Sequence, residues 1–204
     1  LVEPVSGLQV GLIGVARTPL DAEQDSPHFA TGADLNYRGL SDRLQVTGFY
    51  SNTLDDEAGG LRDGHAARTE VAYRGRAWQP SATLRWVDAG FNPRAGFVRR
   101  TDALLAQTNH AVVIRFDEGL LDHLTPAAAA AITLDAGGEE TLDEAAQFDL
   151  GGRLRSGWSF NLTGVLQRVL VQQDFEALGA LPVKADRYSG GLVELQIDTP
   201  FTRN

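Results

Sequence analysis

Apolar and polar residues alternate with a period of two along most of this chain, the side-chain period of a β-strand. The pattern is plainest over 78–86, where Trp78, Pro80, Ala82, Leu84 and Trp86 share one face and Gln79, Ser81, Thr83 and Arg85 the other. It recurs over 29–38, which sets Phe29, Thr31, Ala33, Leu35 and Tyr37 against Gly32, Asp34, Asn36 and Arg38. Similar runs predict strands over about 7–17, 43–50, 68–75, 109–117, 146–155, 158–171 and 188–198. The stretch 126–135 is read as a strand on Ile132, Thr133 and Leu134, although its alanines favour helix. That makes about ten strands. A slip of phase near Gln167–Val171 predicts a bulge, and Ser156-Gly157 reads as a two-residue hairpin turn.

The connections alternate in length. Long loops are expected at 18–28, 54–67, 89–108 and 172–187, and short turns follow the second, fourth and eighth strands. The stretch 137–146 reads as a loop or one turn of helix. An antiparallel up-and-down barrel with short turns at one rim and long loops at the other produces this rhythm. A Greek-key sandwich has no reason to keep it. The polar face also carries Arg, Asp, Glu, Asn and Gln in nearly every strand, as a wet lumen would. The fold class predicted is therefore all-β: a transmembrane up-and-down β-barrel, or a contiguous portion of one, forming a single domain over 1–204. The chain is read as a mature or fragmentary one.

Composition narrows the partners. Net charge is −9, which argues against a nucleic-acid footprint, since that needs a basic face. There is no cysteine, so disulfides and thiolate metal sites are excluded. No apolar run approaches the roughly 18 residues of a membrane helix, which leaves barrel strands open. The expected partners are a lipid bilayer, a small solute or glycan, and other envelope subunits. Phe29, Tyr37, Tyr50, Tyr73, Trp78, Trp86, Phe116, Trp158 and Tyr188 stand near strand ends. In a membrane barrel they form two belts about 25 Å apart. In a soluble glycan-binding sandwich, the alternative, Trp78, Trp86 or Trp158 would lie in one exposed patch.

The run D-x-G-F-N-P-R-x-G-F-V-R-R-T-D that follows the Trp78 strand resembles an uncharacterised outer-membrane β-barrel family whose barrel follows a family-9-like carbohydrate-binding module. Trp86, Phe91, Gly96, Phe97, Arg99, Arg100 and Asp102 carry the likeness. It implies a barrel in a bacterial outer membrane and supplies no chemistry. No such module is present here, so its binding activity does not carry over.

Candidate chemistry is sparse. His28, His65, His110 and His123 form no metal-binding spacing, and the acidic runs Asp55-Asp56-Glu57 and Glu139-Glu140 lack an EF-hand's pattern. No phosphate-cradling glycine motif or nucleophile elbow occurs. We expect no enzyme, no cofactor and no metal. Arginine supplies all but one of the 18 basic residues. Arg38, Arg43, Arg68, Arg74, Arg85, Arg115, Arg153 and Arg155 fall on the polar face. They form either a charged constriction or ion pairs with Asp34, Glu70, Asp117 and Asp149 that stiffen a narrow barrel. Phe91, Asn92, Arg94, Phe97, Arg99 and Arg100 belong to a loop that is either an inward plug or a cap on the rim. Its phenylalanines need a packing partner in both cases. The function expected is passage or docking of a solute without covalent chemistry.

Overall fold

A computed structural model describes residues 2–5, 7–17, 27–57, 60–93, 100–177 and 181–200, with the side chains of 2–5, 56, 57, 175–177 and 181 left aside. The protein is all-β and antiparallel. Its strands are β1 (Val2–Val5), β2 (Leu8–Arg17), β3 (His28–Gly39), β4 (Leu44–Glu57), β5 (Gly60–Tyr73), β6 (Trp78–Val87), β7 (Ala103–Val112), β8 (Ile114–Arg115), β9 (Leu121–Leu134), β10 (Thr141–Leu154), β11 (Ser159–Val171), β12 (Phe175–Ala177), β13 (Leu181–Val183) and β14 (Asp186–Asp198). The main path runs β1-β2-β3-β4-β5-β6-β7-β9-β10-β11-β14, with β8 on β9 and a separate β12-β13 hairpin. Consecutive strands are neighbours throughout, the up-and-down order that the loop rhythm predicted. The sheet is open, with β1 and β14 at its edges, and does not close into a barrel.

Several boundaries move. The stretch 54–67, expected as a loop, is the tip of a long hairpin in which β4 and β5 pair from Leu44 with Tyr73 to Glu57 with Gly60. Each face mixes polar and apolar residues there, so the period-two contrast vanishes while the backbone ladder, which needs no such contrast, continues. The expected loop 89–108 ends at 102, because β7 already includes Leu104 and Leu105; two adjacent leucines conceal a strand's alternation. The sixth predicted strand, 109–117, divides into the end of β7 and the short β8. The strand over 126–135 is present and begins earlier, at Leu121. Residues 135–140 form a turn, and β10 starts at Thr141 where a helical turn was an option. There is no bulge at Gln167–Val171: β11 keeps unbroken register with β14 from Ser159–Asp198 to Val171–Asp186. The slip reflects Val165 and Val169 on the polar face. Part of 172–187 is the β12-β13 hairpin, beside which Lys184 and the Ala185 N–H hold the Asp174 carboxyl below its ordinary range.

The chain divides into two compact units, one built mainly from 1–73 with 82–106 and 134–140, the other from 74–81, 107–133 and 141–204. In the first, register places Phe29, Leu35, Tyr37, Leu44, Val46, Tyr50, Val71 and Tyr73 on one face of β3, β4 and β5. The other face carries His28, Asp34, Asn36, Arg38, Thr47, Ser51, Thr53, Asp55, Arg62, Arg68 and Glu70. In the second unit, Phe148, Leu150, Phe160, Leu162, Val193, Leu195 and Ile197 oppose Asp149, Asn161, Thr163, Glu194, Gln196 and Asp198.

Burial is inverted relative to a water-soluble sheet. The polar side chains His28, Ser51, Thr53 and Asp55 are buried, while Phe29, Leu35, Tyr50, Phe148, Val193, Leu195 and Ile197 of the apolar face are exposed. Among the described residues only Ala66, Val87, Phe91, Ala103 and Leu142 form buried hydrophobic positions. A water-soluble fold is driven by covering its apolar face; here that face is bare.

Candidate functional site

The site grows from one cross-strand row on the polar face. Register aligns Arg17 of β2 with His28 of β3, His28 with Asp55 of β4, and Asp55 with Arg62 of β5. His28 Nδ1 lies 2.5 Å from Asp55 Oδ1, and both residues are almost fully buried. An ionised carboxylate only accepts, so Nδ1 donates and Nε2 is the other, free nitrogen. Nε2 has no hydrogen-bond partner among the described residues.

The residues after β6 lie across this row. The Asp88 N–H donates to the His65 carbonyl at 2.9 Å, and the Gly90 and Phe91 N–H groups turn back onto Asp88. Arg62 reaches the Ala89 carbonyl. Asn92 closes the contact twice: its backbone N–H donates to Thr53 Oγ1 at 3.2 Å and its Nδ2 to Asp55 Oδ2 at 3.1 Å. Phe91 is buried with Ala66 and Val87. The segment 88–92 thus covers the polar face of β4 and β5 at the end where the longer connections lie.

Close approach sets the sequence here. A Cβ on Gly64 would stand 2.3 Å from the Gly90 carbonyl carbon and the Phe91 nitrogen, and one on Gly90 2.4 Å from the Asp63 oxygen. Backbone meets backbone, and neither side has a flexible atom to move away. Gly64→Val is therefore expected to lift 88–92 off the wall. Limited proteolysis checks this: new cleavage within 88–102 is expected in the variant, and an unchanged digestion pattern would refute the docking.

Of the eight arginines read as facing a lumen, Arg38, Arg68, Arg85 and Arg153 lie in strands on the polar face, each in phase with polar or buried neighbours. Arg68 pairs with Glu70 at 2.7 Å, as expected for that carboxylate. Asp149, by contrast, accepts from Gln147 and Thr163. Arg43, Arg74 and Arg155 sit in connections and not in strands, and Arg115 lies in the two-residue β8. Arg115 donates to the Arg76 carbonyl and Arg155 to the Phe116 carbonyl. These four decorate the short-turn end, because a turn's polar residues mimic the polar phase of the strand beside them.

Of the loop candidates, Phe91 and Asn92 dock as described and Arg100 is half-buried just before β7. Arg94, Phe97 and Arg99 lie outside the described residues. Among the described residues no three His, Asp or Glu side chains gather as a metal site. His28 and Asp55 were not foreseen as a pair. They are 27 residues apart in stretches that read as loop, and only the strand register brings them together.

What the cluster does chemically follows from its partners. Ser51 Oγ bonds the Thr31 carbonyl, and Thr53 Oγ1 is engaged by Asn92 and Gly64. Asp55 joins His28 of the wall to Asn92 of the segment after β6. It fixes a loop to a wall.

No family model, no curated protein and no solved structure matches the chain.

Proposed function

We propose that this chain is the wall of a bacterial outer-membrane β-barrel, or a contiguous portion of one, along whose polar side a solute or polymer passes or docks without covalent chemistry. The observation that carries the reading is the inverted burial, with an apolar face bare and a polar face partly covered by the docked 88–92 segment. Such a sheet is stable where hydrocarbon, not water, meets its apolar face.

The aromatics support the same orientation. On β3, Phe29 and Tyr37 share the apolar face eight residues apart, and Trp78 and Trp86 repeat that spacing on β6. Eight residues span roughly 27 Å of strand, or about 20 Å across a bilayer at a tilt near 40°, with the rings reaching further out towards the ~25 Å expected of two girdles. Trp78 and Trp86 thus mark opposite ends of one strand, where a glycan patch would bring them together. Three polar groups on this face gather at one point. Asn52 and Tyr50 both bond His65, at 3.2 and 2.8 Å. The resemblance of 78–102 to an outer-membrane family points the same way.

An unpaired edge in hydrocarbon costs several kcal/mol per orphaned group, so the reading requires β14's free edge to be paired in the membrane. An alternating path of eleven strands starts and ends in the same direction. Antiparallel closure then calls for an odd number of further strands. In this arrangement Phe91 and Asn92 narrow the polar side at its long-connection end, and the polar-face arginines meet the solute or stiffen the wall.

The test is membrane fractionation with heated and unheated gel samples. Sedimentation with the outer membrane, together with a mobility shift on heating, is the expected result. A soluble protein with no shift would overturn the proposal and turn attention to glycan binding.

A further inference from the structure

The apolar face of the second unit is not uniformly filled. Gly164 of β11 lies between Phe148 of β10 and Val193 of β14 in one cross-strand row, and Gly191 lies beside Leu166 in the next. The two glycines leave a groove of about 390 Å³, lined by Ala146, Phe148, Gly164, Leu166, Gly191 and Val193 among others. That is within the size range of small-molecule sites. The floor is open: a Cβ on Gly164 would meet nothing closer than the Phe148 carbonyl oxygen at 4.0 Å.

The groove continues into a second space of about 310 Å³ that shares Ala146 and Leu166 and adds Glu144, Arg168 and Ser189. These three form a single row, Glu144 aligned with Arg168 and Arg168 with Ser189. Arg187 follows on the same face one row further out, donating to the Thr141 carbonyl. Arg168 contacts Glu144 at 3.2 Å and is half-exposed. Arg168 and Arg187 stand on diagonal positions of neighbouring strands, residue positions that lie roughly 7–8 Å apart, with one carboxylate, Glu144, paired to Arg168. The rim therefore carries a net positive charge at the outer end of an apolar channel.

Resting on the membrane reading, we propose that this groove seats one phosphorylated membrane lipid, with its phosphate on Arg168 and Arg187 and an acyl chain along the Gly164 and Gly191 floor. Guanidinium forks match phosphate oxygens in two-point fashion, and Ser189 offers a further hydroxyl donor. From the Phe148 row to the Glu144 row is four residues, roughly 14 Å of strand, so chain and headgroup engage in one continuous line. The groove is apolar, where the surroundings of the docked 88–92 segment are polar, and it is suited to lipid and not to solute.

The experiment uses the full chain purified in detergent and stripped of lipid. Dioleoyl phosphatidic acid, dioleoylglycerol and inorganic phosphate are added in turn, and retained adducts are read by native mass spectrometry. Phosphatidic acid is expected to be retained, and the other two are not, since each supplies half of the match. Gly164→Leu adds a side chain whose Cβ has open space and suits a strand better than glycine; it is expected to lower the retained fraction at least tenfold. Arg168→Gln is expected to lower it several-fold. Equal retention by Gly164→Leu and the parent protein, or equal retention of dioleoylglycerol, would overturn the proposal. The same preparations are checked for the heat-dependent gel shift. A shifted protein that retains no lipid removes this inference and leaves the membrane reading standing, whereas a soluble, unshifted protein removes the reading beneath it.

Discussion

Asp55→Ala is expected to lower the stability of the folded chain by about 1–3 kcal/mol and to release the segment after β6. The reason is the number of groups that converge on one buried carboxylate. His28 Nδ1 and Asn92 Nδ2 both bond it; His28 is nearly fully buried and has no water to turn to, whereas Asn92 is exposed and its amide can turn to solvent. Each buried donor left without a partner costs about 1–3 kcal/mol. Asp55→Asn separates the charge from the shape. Its amide oxygen still accepts from one of the two donors, so a smaller loss is expected. Urea-induced unfolding in detergent, followed by tryptophan emission, measures the difference between the variants. If Asp55→Ala unfolds at the parent's midpoint, the buried cluster does not hold the wall together. Asn92→Ala provides the second arm. It removes one bond to the carboxylate and keeps the backbone contact to Thr53, so the loop is expected to loosen with little change in global stability.

This cluster shows what was and was not legible in the sequence. Alternation located β3, β6, β11 and β14 closely, since each has one apolar and one polar face. It failed over 54–67, where Asp55, Arg62 and Ala66 face the polar side and Leu54, Asp63 and Ala67 the other, so neither face reads as core. The partners of that stretch lie outside local pattern. His28 meets Asp55 only through the β3-β4 register, and Asn92 arrives from the loop after β6. The demand was visible even so: Phe91 required a partner, and Gly64 and Gly90 are residues that permit a backbone contact. The partner's identity required pairing information that no period carries. Edge pairing was equally illegible, because an up-and-down pattern reads the same in an open sheet and in a closed ring.

The second large effect tests the environment of the apolar face directly. Leu195 and Gln196 are neighbours on β14, Leu195 sharing a cross-strand row with Leu162 and Leu150 inside the apolar band and Gln196 facing the polar side with Asn161. Leu195 is 61% exposed. If water covers both faces, arginine at either position is tolerated to within about 0.5 kcal/mol, as most surface substitutions are. If hydrocarbon covers one face, Leu195→Arg costs about 2–4 kcal/mol near the middle of the bilayer, whereas Gln196→Arg adds one more cation to a polar wall that already holds Arg38, Arg68 and Arg153. The expected result is strong asymmetry: poor recovery of Leu195→Arg in the membrane and loss of its heat-dependent gel shift, with Gln196→Arg close to the parent. Two adjacent residues of similar exposure share backbone, strand propensity and edge position, so a difference between them isolates the medium that each side chain meets. Equal behaviour of the two variants would mean that the exposed apolar face looks into water, and the bare sheet would then need a protein partner in place of lipid.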